Sequence, residues 1–353
     1  MNKSVLEKVI DGIKPVSQKW IDKAYERLDS LTKPKKSLGY LEELAAKYVA
    51  IREEAKPVIG GKRVFVFVGD HKVVEEGVSA YPAEVTRLMV LNFVGGGAAI
   101  NVLARRAGAE VEVIDIGMAE DPGESPGLIR KNVKCGAANI AKGPAMTIEE
   151  AEKAVKVGME RAAKAADDGV TVVVTGDMGI GNTTPAAALY AAYLGLPPSQ
   201  LVGPGTGLDP EGVIHKVKVV ERALDINRSM CNGPLETLAA LGGLEIAGIC
   251  GLCLGAASRR MAIAVDGFIS TAGALAAMQL CPAAKDYMFF AHQSAEPGHR
   301  RFFESEGLRP VLDLGMRLGE GTGAVIALQI LEDAVAIYNE MATFADAGIT
   351  PGA

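Results

Sequence analysis

The chain has 353 residues, a formal net charge of −6 at pH 7 and an apolar fraction of 49%. That much apolar material can bury one large α/β domain with a small appendage, or two ordinary domains. The acidic balance, with no basic stripe, excludes an electrostatic case for nucleic acid.

The first residues, "MNKSVLEKVIDGIKPVSQKW", lack the apolar core and small-residue cleavage site of a signal peptide. No uninterrupted apolar run reaches bilayer length; "LEIAGICGLCLGAASRR" is short and glycine-broken. A cytoplasmic protein without a membrane span is the expectation. Up to about residue 58 the chain reads as helices, since "DKAYERLDSL" and "YLEELAAKYVAIREEA" carry apolar residues at helical spacing. Between them "TKPKKSLGYLE" is a proline-broken turn, with Ser37 or Gly39 placed to start the next helix.

From Lys62 short apolar runs alternate with helical segments, the pattern of parallel βαβ units. "RVFVFVGDH", "VEVIDIGM", "TVVVTGDMG", "MAIAVDGF" and "YMFFAHQS" read as strands. Each ends on a polar residue: Asp70-His71, Asp115, Asp177, Asp266 and His292. Parallel strands bring these ends to one sheet edge, where ligands bind, so the five are expected to converge. The last segment, "ILEDAVAIYNEMATFADAG", reads as an amphipathic helix with a glycine stop. The expected division is a small helical domain of residues 1–58 plus 330–353, and a large α/β domain of 59–329.

Five cysteines, an odd number, argue against a disulfide framework, and Cys250 and Cys253 read as buried helix thiols. The four histidines (His71, His215, His292, His299) make no convincing metal set. Neither metal nor cofactor is expected.

The stretch "TVVVTGDMGIGNTTPAAALYAA" runs from a strand through a glycine-rich turn into a helix. Thr184 reads as the cap and Pro185 as the first helical residue. Glycines that free backbone N–H groups, with a helix N-terminus behind them, suit a phosphate or carboxylate. The turn is neither a Walker loop nor a dinucleotide fingerprint. "VGPGTGLD" is a second glycine-rich turn, and "RLGEGTGAVIAL" sets Glu320 between glycines at the head of an apolar helix. Glycine on both sides lets a substrate approach that carboxylate, as a general base requires.

Together "LTKPKKSLGYLE", "GVSAYPAEVT", "GGGAAINVLARRAGAEV", "TGDMGIGNTTPAAAL", "GPGTGLD", "DGFISTAGALAA", "AHQSAEPGHR" and "LDLGMRLGEGTGA" resemble the nicotinate-nucleotide:dimethylbenzimidazole phosphoribosyltransferases of cobalamin assembly. The resemblance spans nearly the whole chain. It implies a Rossmann-like parallel sheet of about six strands, a small helical domain built from both termini, and a homodimer in which both subunits contribute to each site.

The resemblance also implies transfer of ribose 5-phosphate from nicotinate mononucleotide to 5,6-dimethylbenzimidazole, giving α-ribazole 5′-phosphate and nicotinate. Glu320 is then the base that takes the azole proton, and Asp177 supports the ribose or the charge. Gly179, Gly181, Asn182 and Thr183 present the phosphate turn, assisted by Lys216 and Ser294. Gly205 and Thr206 lie near nicotinate or ribose, while Tyr81, Leu88 and Leu318 form the base pocket. Three residues depart from the family pattern: Lys72 for glycine, Leu88 for glutamine and Asp177 for glutamate. The alternatives are the same transfer to another base, such as a phenol or purine, and a non-catalytic nucleotide-binding partner subunit.

Overall fold

The computed structural model describes residues 4–350. Its strands are β1 (Gly61–Gly69), β2 (Glu110–Gly117), β3 (Leu128–Arg130), β4 (Val170–Met178), β5 (Ala262–Val265) and β6 (Met288–Phe290). They form one six-stranded sheet in the order β3-β2-β1-β4-β5-β6, parallel throughout. This is the Rossmann-like α/β architecture expected, with five strands where the apolar runs fell. The edge strand β3 escaped because its residues are only partly buried or exposed and make no apolar run, unlike the equally short β6.

The central strands are buried on both faces, which is why "VFVFV" and "VVV" read as continuous apolar runs rather than alternating ones. Helices pack closely on them because small residues stand at the crossings. A Cβ on Gly251, in the helix Leu244–Ser258, would lie 1.8 Å from the Val155 carbonyl of the helix Ile148–Asp167. Cys250 and Cys253, on the helix Leu244–Ser258, are free, fully buried thiols, and burial pushes both pKa values up. They are core residues, as read.

At the amino end lie the helices Val5–Gly12, Gln18–Ser30 and Tyr40–Arg52, the last opened by Gly39. The final helix, Thr322–Glu340, reaches them. Arg27 donates to the Tyr338 and Asn339 carbonyls (2.7 and 3.0 Å), and Tyr338 and Asn339 donate to those of Ala55 and Pro57 (3.1 and 2.8 Å). This helix runs unbroken through the expected boundary at 329/330 and ends at Glu340. The expected glycine stop, Gly348, lies in a later turn, so it does not end the helix.

Residues Val85–Ala107 are the one described stretch long and apolar enough by composition to cross a membrane, at mean hydropathy 1.4. It is not an uninterrupted apolar run, since Arg87, Asn92 and Asn101 break it. Two helices occupy it, Val85–Val94 and Ala99–Ala107, with a glycine turn between them.

Candidate active site

The carboxyl ends of β4, β5 and β6 open onto a cavity of about 580 Å³. It lies beside the β1/β4 switch point, where an open α/β sheet holds its ligands. The five strand ends do not all converge there. Asp177 and His292 line the cavity, and Asp266 is buried behind it. Asp70 instead accepts the Ala119 N–H (2.8 Å), and Asp115 accepts Met118 N–H and Asn132 Nδ2 (2.9 and 3.0 Å). These two are turn carboxylates. His71 is turned away as well, with Nε2 2.6 Å from Glu245 Oε1 in a buried pair.

Glu320 lines the cavity on a backbone with φ +65°, between Gly319 at +84° and Gly321 at +90°. Three successive left-handed residues are costly for any chain, and the glutamate, which has a Cβ, carries the largest share of the strain here. Packing enforces the turn: Asp266 accepts Gly321 N–H on Oδ2 (3.1 Å) and Ala324 N–H on Oδ1 (2.9 Å). A Cβ on Gly321 would lie 3.0 Å from Val64 and 3.1 Å from the Thr175 carbonyl. The flanking glycines therefore build the turn as well as leaving room for substrate. Glu320 Oε2 accepts a long bond from Ile100 N–H (3.4 Å), in the first turn of the helix Ala99–Ala107. Burial raises the Glu320 pKa to about 7, against that bond, and the Asp266 charge adds to the rise.

Asp177, at the end of β4, accepts from Ser270 Oγ on Oδ1 and Asn182 Nδ2 on Oδ2, both at 3.1 Å. Burial, with the charges of Asp266 and Glu245, pushes its carboxyl up to about 8. Burial thus raises both carboxyls toward neutrality.

In the glycine turn the helix runs Thr183–Leu194, so Asn182 holds the cap position and Pro185 is the third helical residue. This corrects the expected start, because the Asn182 side chain is drawn to Asp177 and the Thr184 hydroxyl is buried within the fold. Gly179 is needed for packing, since a Cβ there would meet the Gly69 carbonyl at 2.1 Å. Ile180 N–H goes to Thr86 Oγ1, and the Asn182 and Thr184 N–H groups go to the Gly179 and Gly181 carbonyls. Among the described residues this leaves the Gly181 and Thr183 N–H groups as the turn's free donors.

Lys216 stands behind this turn, its Nζ donating to Thr183 Oγ1 at 2.6 Å. Burial lowers its pKa to about 8, opposed by the charge of Glu296. Gly205, at φ +53°, adjoins both; its N–H donates to Glu296 Oε1 (2.9 Å) and its carbonyl accepts from Arg317 Nη1 (2.7 Å). Glu296 and Arg317 line the cavity with Ser294 and were missed in the sequence. Their motifs, "SAEPG" and "GMRLGE", were visible, but a charged loop residue ordinarily reads as solvated.

Tyr81 and Leu318 line the other end with Val78, Val85 and Met89. Leu88 does not: it is 54% exposed on the outer face of its helix, and Met89, the next residue, faces in. Lys72 begins a short 3-10 turn, Lys72–Glu76, without positive φ, so the turn forms without glycine. Among the described residues no group of three or more His, Cys, Asp or Glu is arranged to hold a metal ion.

A family model described as phosphoribosyltransferase matches residues 13–349. A protein of Chlorobaculum tepidum named nicotinate-nucleotide--dimethylbenzimidazole phosphoribosyltransferase is 54% identical over 98% of both chains. One of the same name from Nitratidesulfovibrio vulgaris is 52% identical, again over 98% of both. The crystal structure of CobT from Thermus thermophilus superposes with a TM-score of 0.91 at 50% identity, covering 95% of this chain and all of that one. The chain belongs to this phosphoribosyltransferase family.

Proposed function

We propose that this chain moves ribose 5-phosphate from nicotinate mononucleotide to 5,6-dimethylbenzimidazole, releasing nicotinate and α-ribazole 5′-phosphate. The family and the names of its relatives support the reaction. The observation that carries the mechanism is Glu320, a carboxylate buried in the cavity wall on an enforced left-handed turn.

The pyridine of the donor is already cationic, so it leaves C1′ as a neutral ring and needs no general acid. The benzimidazole nitrogen attacks from the opposite face, which converts the β-nucleotide to the α-product. The ring becomes cationic as it attacks, and its N–H proton passes to Glu320. Asp177 supports the ribose and its developing charge. The Gly181 and Thr183 N–H groups, the helix N-terminus and Lys216 hold the phosphate, with Ser294 nearby. Tyr81 and Leu318 flank the base.

Leu88, Leu91 and Val102 are exposed apolar residues on the two helices between Val85 and Ala107. Covering that face with a second copy supports a homodimer. We also read a small helical unit of residues 1–58 and 330–353, tied by the long final helix to a large unit of 59–329. The cytoplasmic setting rests on the sequence reading alone.

Because Glu320 must be ionised to accept the proton, activity rises with pH. The limb of kcat/KM for the nucleotide is expected near pH 7, the pKa of the free enzyme's carboxyl. Rate profiles from pH 5 to about 9 check this, and a profile flat through that range would contradict it. Departure of a neutral pyridine also needs no Lewis acid. Full activity is expected after exhaustive chelation; loss restored by added magnesium or zinc would count against the chemistry.

A further inference from the structure

Thr206 stands in the sequence reading as a residue near nicotinate or ribose, but its hydroxyl is already engaged. Thr206 Oγ1 accepts the Ala80 N–H at 3.0 Å and lies 3.1 Å from Ser79 Oγ. Ser79 Oγ in turn donates to the Tyr81 carbonyl at 3.0 Å and accepts the Tyr81 N–H at 3.2 Å. Tyr81 is more than half exposed and lines the cavity, so its own packing does little to fix it. On the other side, Thr206 follows Gly205, whose N–H and carbonyl are held by Glu296 and Arg317. One end of this chain of bonds is therefore fixed in the wall, and the other end is a surface strap.

We infer that Thr206 is a positioning residue for the acceptor base: its hydroxyl latches the Ser79–Tyr81 strap to the anchored Gly205 turn, and so sets the wall that Tyr81 presents to the incoming ring. The inference rests on the phosphoribosyl-transfer reading and assigns Thr206 to the base rather than the nucleotide. With Ser79 Oγ donating to the Tyr81 carbonyl, the Thr206 proton goes to Ser79 and one of its lone pairs to the Ala80 N–H, so the strap takes the hydroxyl's only donor. Serine keeps the hydroxyl; valine keeps the shape and loses both bonds.

The test measures nicotinate mononucleotide binding by calorimetry and the KM for dimethylbenzimidazole in steady state, on wild type, Thr206→Val, Thr206→Ser and Ser79→Ala. Two hydrogen bonds of ordinary strength correspond to roughly a five- to thirtyfold effect. Thr206→Val is expected to raise the base KM within that range, with nucleotide Kd changed less than about twofold. Ser79→Ala should move the base KM in the same direction by less, because the Ala80 bond survives. Thr206→Ser should restore the wild-type base KM. Because Thr206 is outside the core, circular dichroism should stay at the wild-type signal and Tm should fall by no more than about a few degrees. Equal weakening of nucleotide and base by Thr206→Val would overturn the assignment, as would an unchanged base KM or a serine variant as impaired as valine. Failure of the wild type to bind the nucleotide at all would instead overturn the functional reading.

Discussion

Glu320→Gln is expected to leave the protein folded and the nucleotide bound, while kcat falls by roughly 10²–10⁴, the range for removal of a general base. Glutamine has the shape of glutamate and can still accept the Ile100 N–H through its amide oxygen, so the left-handed turn and its two bonds to Asp266 persist. What disappears is the acceptor for the azole proton. The pH limb near 7 should vanish with it, because that limb belongs to the carboxyl raised by burial. Calorimetry with nicotinate mononucleotide separates the two effects: Kd close to wild type with kcat collapsed marks a group that acts in the chemical step. A variant with near-normal turnover would remove Glu320 from the mechanism.

Gly181→Val is expected to weaken nicotinate mononucleotide on the order of 100-fold, the equivalent of two charge-assisted hydrogen bonds. Gly181 sits at φ +88°, a conformation that a β-branched residue strongly resists, and a Cβ there would lie 2.7 Å from Val74 Cγ2. The turn must shift to relieve this, and its free N–H groups move off the phosphate. Lys216→Ala is a milder probe of the same site. It should weaken the nucleotide about tenfold or more, and the dephosphorylated nucleoside far less. The lysine pKa near 8 adds a check, since the difference between the two ligands should shrink as the pH rises through that value. Equal weakening of nucleotide and nucleoside by Lys216→Ala would place the phosphate elsewhere.

The sheet was legible because parallel strands buried on both faces leave long apolar runs in the sequence. β3 was not, since this partly exposed edge strand ends in Arg130 and leaves no apolar run, whereas the equally short β6 is buried throughout. Strand-end acids were legible as a set, but not which of them faced the cavity. Asp115 lies inside β2 and Asp70 just past β1, and backbone donors of nearby turns took both. The glycines around Glu320 were visible as access for substrate, whereas their positive φ values and their contacts with Val64 and Thr175 emerge only from packing. Glu296 becomes buried and the exposed Arg317 is drawn to the Gly205 carbonyl when three loops meet at Gly205, and local sequence carries no trace of that meeting. Leu88, expected in the base pocket, lies outside the cavity of the single chain, on an exposed apolar helix face whose cover the local sequence does not reveal.

The central claim is that this chain transfers ribose 5-phosphate between two aromatic nitrogens with Glu320 as the base. The most direct measurement incubates purified wild type and Glu320→Gln with nicotinate mononucleotide and dimethylbenzimidazole, and follows products by liquid chromatography and mass spectrometry. Wild type should release nicotinate and α-ribazole 5′-phosphate in equal amounts, and the variant should form both far more slowly. Folded wild type that forms neither product, or a variant that forms them at the wild-type rate, would contradict the account.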